Sequence, residues 1–235
     1  MSRNALLNNI DHKGLRVITE KSEAMGDNHM LALTFPAEFR QIQAHYPIFF
    51  HKHEQTGEFY PVALMGFTQG ENLFLTPQGW DASYIPLSIE RLPFSIGEQN
   101  GSQVVNVDLD SPKLSQTEGE PLFLEFGGQS PFLEKLTASL ELLDQGVQDN
   151  QKLVETLTQL KLIEPITLDI TLNNGKQHQL IGFYTLNEDT FNELSADTIA
   201  QLHQTGHLEA IYMILASHSQ VLELIKRKNI QLELE

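Results

Sequence analysis

The sequence predicts an α+β fold: antiparallel β-hairpins forming a sheet or sheets, with helices concentrated at 130–162 and 188–228. Three observations carry that expectation. Strand-like runs come in pairs, 47–53 with 58–67, 93–98 with 103–108 and 166–172 with 179–186, each pair flanking a short polar turn. Two of those turns contain Asn-Gly, a dipeptide that adopts the positive-φ backbone a tight hairpin needs. Strands and helices also arrive in blocks, without the regular β-α-β alternation of a parallel sheet.

At 235 residues and 40% hydrophobic, the chain can bury one good core or two small ones, and no shift in composition argues for a split. The expected organisation is a loosely packed N-terminal extension over 1–28 and a single α+β domain over 29–235. Fifteen basic against 31 acidic residues give a net charge of −16, which repels phosphate backbones and anionic membrane surfaces. Neither nucleic acid nor membrane insertion is therefore expected. The absence of cysteine excludes disulfides, thiolate metal sites, iron–sulfur clusters and a cysteine nucleophile. Residues 1–28 hold no apolar run of signal-peptide length, and no segment approaches a membrane span, so a cytoplasmic location is expected.

In chain order, Leu15 to Thr19 reads as one possible strand within the extension. Leu31 to Phe35 is apolar, and Pro36 at a first-turn position opens a short helix with Phe35, Phe39 and Ile42 on one face. The hairpin 47–53/58–67 follows, then turns at Gly70–Asn72 and Thr76–Gly79 around a short strand at Leu73 to Leu75. Pro86 and Pro93 forbid a long helix here, since each lacks an amide donor and biases its predecessor to extended geometry. After the second hairpin, Ser130 reads as an N-cap with Pro131 behind it, opening a helix to about Leu143 that Gly146 closes; a further helix covers 149–162. In the third hairpin Ile166, Leu168, Ile170 and Leu172 alternate with polar residues, the pattern of a sheet with one wet face. Asn187 and Ser195 cap two short helices. A last helix runs from His207 towards Lys228 with Leu208, Ile211, Tyr212, Leu215, Leu222 and Ile225 as its apolar face.

The densest stretch is Tyr46 to Phe94, with Tyr46-Pro47-Ile48, Pro61-Val62-Ala63-Leu64, Gly66, Gly70-Glu71-Asn72-Leu73-Phe74, the only tryptophan (Trp80), Tyr84-Ile85-Pro86, Arg91 and Pro93-Phe94. Together with Pro121-Leu122-Phe123, Gly182 and Leu202 to Tyr212, these pieces resemble the SapC family of bacterial proteins across roughly residues 30–225. The resemblance implies a setting: members are often encoded beside TonB-dependent outer-membrane receptors, flavin-dependent halogenase-like proteins and cupin-like proteins. It assigns no catalytic residues and no cofactor.

Two constellations stand out for chemistry. His51 and His53 point to one face of a strand, and Glu58 returns from the facing strand, so the three could hold a metal. The spacing is that of the first half of a cupin metal motif, without its second half. A polar hairpin face near a turn is the plainer account. His203 and His207 stand at helical spacing, yet Gly206 between them reads as a helix end. No Gly-x-Ser-x-Gly elbow, dinucleotide fingerprint or P-loop lysine motif occurs. The other constellation, Trp80, Tyr84 and Arg91, lies on irregular backbone, where aromatics and an arginine suit a ligand or partner pocket; a lid over the core, with Arg91 paired to a carboxylate, is the competing reading. These residues lead to the expectation of a non-catalytic binding or accessory protein with a protein or peptide partner: by resemblance, a halogenase-like or cupin-like protein or a TonB-dependent receptor. The alternatives are a metal-dependent, cupin-like enzyme using His51, His53 and Glu58, and a self-associating protein related to the surface layer.

Overall fold

In a computed structural model, which describes residues 3–234, the chain forms two compact units. The first draws on segments 1–28, 75–81 and 87–145, and the second on 29–74, 82–86 and 146–235. In chain order the elements begin with β1 (Asn4–Leu6), β2 (Arg16–Val17), a 3-10 turn (Glu23–Met25), β3 (Leu31–Leu33), α1 (Pro36–Ile42), β4 (Ile48–Lys52), β5 (Phe59–Leu64), β6 (Leu75–Thr76), β7 (Gly79–Trp80) and α2 (Leu87–Glu90). They continue with β8 (Phe94–Gln99), β9 (Ser102–Asp108), β10 (Leu114–Ser115), β11 (Glu120–Pro121), α3 (Pro131–Gln159), β12 (Ile163–Thr171), β13 (Gln177–Leu186), α4 (Glu188–Asn192), α5 (Ala196–Gln204), α6 (His207–Ser217) and α7 (Gln220–Leu234). The architecture is α+β, with every sheet antiparallel.

In the first unit β8 and β9 form the expected hairpin, and Asn100 and Gly101 at its tip both take positive φ, 53° and 76°. The stretch expected as a loosely packed extension is instead built in. β1 pairs along β9, and β2 is the central strand between β10 and β11. The apolar side chains Leu15 and Val17 are buried, joining a core that includes Ile89, Phe94, Val107, Leu122, Leu133 and Leu136. Short strands of two or three residues carry too little periodicity to announce themselves, which is why the sequence reads as a tail there.

The second unit holds a five-stranded sheet in the order β12-β13-β4-β5-β3. As expected, β4–β5 and β12–β13 are hairpins; β13 then joins the two through Phe183 opposite His51 and Tyr184 opposite Phe50. The β12–β13 register shifts between Ile166 and Leu168, a bulge that coincides with Gly182 at φ 86°. Phe35, Phe39, Ile42, Tyr46, Ile48 and Phe50 are almost wholly sequestered, which confirms the predicted face of α1. Helix α6 is tied to the sheet where the Ile48 amide donates to Ser217 Oγ (2.8 Å) and that hydroxyl donates to the Ile214 carbonyl (2.6 Å). Asn187 and Ser195 cap α4 and α5 as expected, accepting from the Thr190 amide (2.7 Å) and the Thr198 amide (3.2 Å).

Helix boundaries depart from expectation twice. Gly146 does not end a helix; α3 runs through it, and its missing side chain leaves room for the Phe35 ring, which a Cβ there would overlap. The C-terminal helix is broken at His218–Ser219, so its phase resets: Ala210, Ile211, Ile214 and Leu224 are buried, while Tyr212 and Leu222 face solvent. By length and composition His207–Glu233 could cross a membrane, its most apolar 18-residue window having a mean hydropathy of 1.2, contrary to the expectation that no segment approaches a span. Within this stretch the helix is broken at His218–Ser219, and Ile211, Ile214 and Leu224 are buried.

Candidate functional site

Arg91 follows directly on α2, its amide closing the last turn onto the Leu87 carbonyl (3.0 Å). The Phe94 amide donates back to the Arg91 carbonyl (2.9 Å), and the Arg91 guanidinium donates to the Phe94 carbonyl. A local turn thus fixes the half-buried side chain. Among the described residues no carboxylate lies within ion-pair distance of it. The pairing that a core lid would require is therefore not made. Burial pulls the guanidinium pKa below its ordinary value, and an arginine side chain stays charged in a protein even so.

Arg91 lines a cleft of about 340 Å³ in the first unit, with Phe94, Asp108, Asp110, Ser111 and Lys113 also on its walls. Asp110 is already engaged, accepting the Arg3 amide (3.0 Å) with the Arg3 guanidinium 3.8 Å away. Asp108 accepts the Asp110 amide through one oxygen (3.1 Å). Lys113 belongs to a buried charged cluster that sequence reasoning missed. Its Nζ lies 2.8 Å from Asp27 Oδ2, with Lys113 2% and Asp27 0% exposed, and Lys21 Nζ stands 3.8 Å from the other carboxylate oxygen. Lys21 also donates to the Ile89 carbonyl (3.4 Å). Desolvation pushes the Lys21 pKa down, the neighbouring Lys113 acts in the same direction, and Asp27 and Glu90 oppose them. No local signal marks such a cluster, because Lys113 is distant in sequence from Lys21 and Asp27.

The other predicted partners of Arg91 are placed differently. Trp80 sits in the two-residue strand β7 opposite Leu75, half-buried, in the first unit. Tyr84 belongs to the second unit, where its hydroxyl donates to Glu38 (2.9 Å) and its carbonyl accepts from the Tyr46 hydroxyl (2.5 Å). Of the three, Arg91 is the one that lines the cleft.

The histidine constellations resolve into packing and turn contacts. The His51 ring meets Phe183 edge-on with centroids 5.2 Å apart, and its Nδ1 lies 3.4 Å from the Tyr60 hydroxyl. His53 Nδ1 accepts the Thr56 amide (3.3 Å), and Glu58 accepts the Thr56 hydroxyl (3.3 Å). His51 thus turns to β13 while His53 and Glu58 satisfy the hairpin turn, and no metal-holding group of three or more such side chains forms among the described residues. His203 ends α5 and His207 begins α6, separated by Gly206 at φ 78°. His218 stacks on Phe49 with centroids 5.2 Å apart, and Ser130 caps α3 by accepting the Leu133 amide (3.1 Å).

A profile of the SapC family matches residues 7–224 of the 235-residue chain. The chain belongs to the SapC family. Comparison with curated proteins and with solved structures gives no match. The SapC span includes Arg91, Asp108 and the Lys21–Asp27–Lys113 cluster, whereas Arg3, which engages Asp110, precedes it.

Proposed function

We propose that this SapC-family protein is a non-catalytic binding or accessory protein, and that the Arg91 cleft of its first unit receives a group from a protein or peptide partner. The observation that carries this reading is the half-buried Arg91, which donates to a backbone carbonyl and has no carboxylate within ion-pair distance among the described residues. A partly desolvated cation without a counter-charge is costly, and a bound acidic group would offset that cost. The hydroxyls on the cleft walls, Ser95 and Ser111, stand without a histidine among the lining residues, so a serine–histidine nucleophile is not built there. By family resemblance the partners to try first are a TonB-dependent receptor segment, a halogenase-like protein and a cupin-like protein.

The test is capture of those partners by the purified protein, compared with Arg91→Ala and Trp80→Ala variants whose circular dichroism and melting are unchanged. Loss of about tenfold or more in affinity for Arg91→Ala, equal to about 1.4 kcal/mol, is expected. Undiminished capture by a folded Arg91→Ala variant would remove the cleft from the interaction.

A further inference from the structure

The Arg91 cleft holds two opposite charges that other side chains leave unneutralised. Of the five N–H donors of Arg91, the Phe94 carbonyl takes one nitrogen, and no other partner lies among the described residues. Asp108 spends one oxygen on the Asp110 amide, and no basic side chain lies within ion-pair distance of it among the described residues. Both residues are anchored on the same dipeptide: the Asp108 amide donates to the Pro93 carbonyl (3.1 Å), while the Arg91 guanidinium sits on the Phe94 carbonyl. They line one cleft, and no ion pair joins them.

We infer that this cleft takes the zwitterionic head of a free α-amino acid, with its carboxylate on Arg91 and its ammonium on Asp108. The inference rests on the reading of the cleft as a binding site. A zwitterion meets both charges at once, and its carboxylate is the acidic group that offsets the cost of the partly desolvated Arg91. The planar guanidinium fork suits a carboxylate in two-point contact. Met25, Leu92 and Pro112 supply apolar wall for a side chain. About 340 Å³ lies at the small end of ligand sites, suited to one residue and its side chain.

The experiment is a thermal-shift and calorimetric screen of the full-length protein against the twenty protein amino acids at millimolar concentration. The best binder is then compared with its N-acetylated form, which lacks the ammonium, and its amide, which lacks the carboxylate. Binding of at least one amino acid is expected, weakened at least tenfold by either block. Arg91→Gln should erase the preference for the free carboxylate, and Asp108→Asn the preference for the free ammonium. Binding of no amino acid, or equal binding of the free and both blocked forms, overturns the inference; those two outcomes are read on the unmutated protein, so they do not depend on a variant folding. Arg91-dependent partner capture with no amino-acid binding would leave the proposed function standing and sink this inference alone. Amino-acid binding with Arg91-independent partner capture would do the reverse.

Discussion

A methyl group at Gly146 has nowhere to go. In an exposed helix interior, alanine is favoured over glycine by about 1 kcal/mol. Here the Phe35 ring occupies the space, so Gly146→Ala is expected to be destabilising by about 1–3 kcal/mol, read as a lower urea midpoint. Phe35→Ala, which removes the Cγ, Cδ1 and Cδ2 atoms that the new methyl group would meet, should cost less in the double variant than the two single losses add up to, a coupling that two independent sites would not show. Asp27 presents the opposite kind of residue-scale constraint. It lies between two buried lysines, and Asp27→Ala leaves both amines without their carboxylate, an expected loss of about 3–5 kcal/mol measured by denaturant unfolding. A loss below 1 kcal/mol would mean that water reaches Lys113 despite its burial.

Among the elements, those that the sequence foretells have their signal within the element. The three hairpins follow from paired alternating runs and turn residues, and the caps at Asn187 and Ser195 follow from side chains that can reach an amide three residues on. The same logic explains the failures. Whether Gly146 ends a helix depends on Phe35, more than a hundred residues away, and nothing near Gly146 says so. The break at His218–Ser219 follows no proline or glycine; it falls where Ser217 bonds the Ile48 amide and His218 stacks on Phe49, both tertiary contacts. At the site, Arg91 was legible as an arginine on irregular backbone, while Asp108 reads as one of several exposed acids until β8–β9 pairing carries it back to Pro93. The bulge offers a test at this scale. No atom lies within 4 Å of a Cβ added at Gly182, so Gly182→Ala isolates backbone strain at φ 86°, an expected 1–2 kcal/mol by the approximate left-handed penalty. Gly182→Asn should lose less, because asparagine visits that region more readily; equal losses in urea unfolding would point to a different cause.

For the whole molecule, the histidines set a direction with pH. Burial lowers the pKa of His218 below the ordinary 6.5, with the Ile48 backbone and Glu188 partly opposing it, and burial likewise lowers His45 and His207. The unfolded chain therefore takes up protons before the folded one as pH falls. The stability these groups contribute is complete above about 6.5 and is lost as pH drops towards their lowered folded values. Relief of self-repulsion in a chain of net charge −16 acts the other way over the same range. The comparison that separates them is between the unmutated protein and His218→Asn, at pH 7.5 and at pH 5.5. The unmutated protein should lose more, or gain less, on acidification than the variant; parallel midpoints would exclude His218 as the source.

The interleaved origin of the two units also orders events on the ribosome. All three segments of the first unit have been translated once residue 145 is made, so its sheets can close while synthesis continues. The second unit has most of its inner strands by residue 64, yet β4 must wait for β13 and the helices that follow. While the chain from Lys52 to Phe183 is translated, β4 has an unfilled edge next to Phe49 and Phe50, the interval in which a nascent chain of this kind is most exposed to wrong pairing.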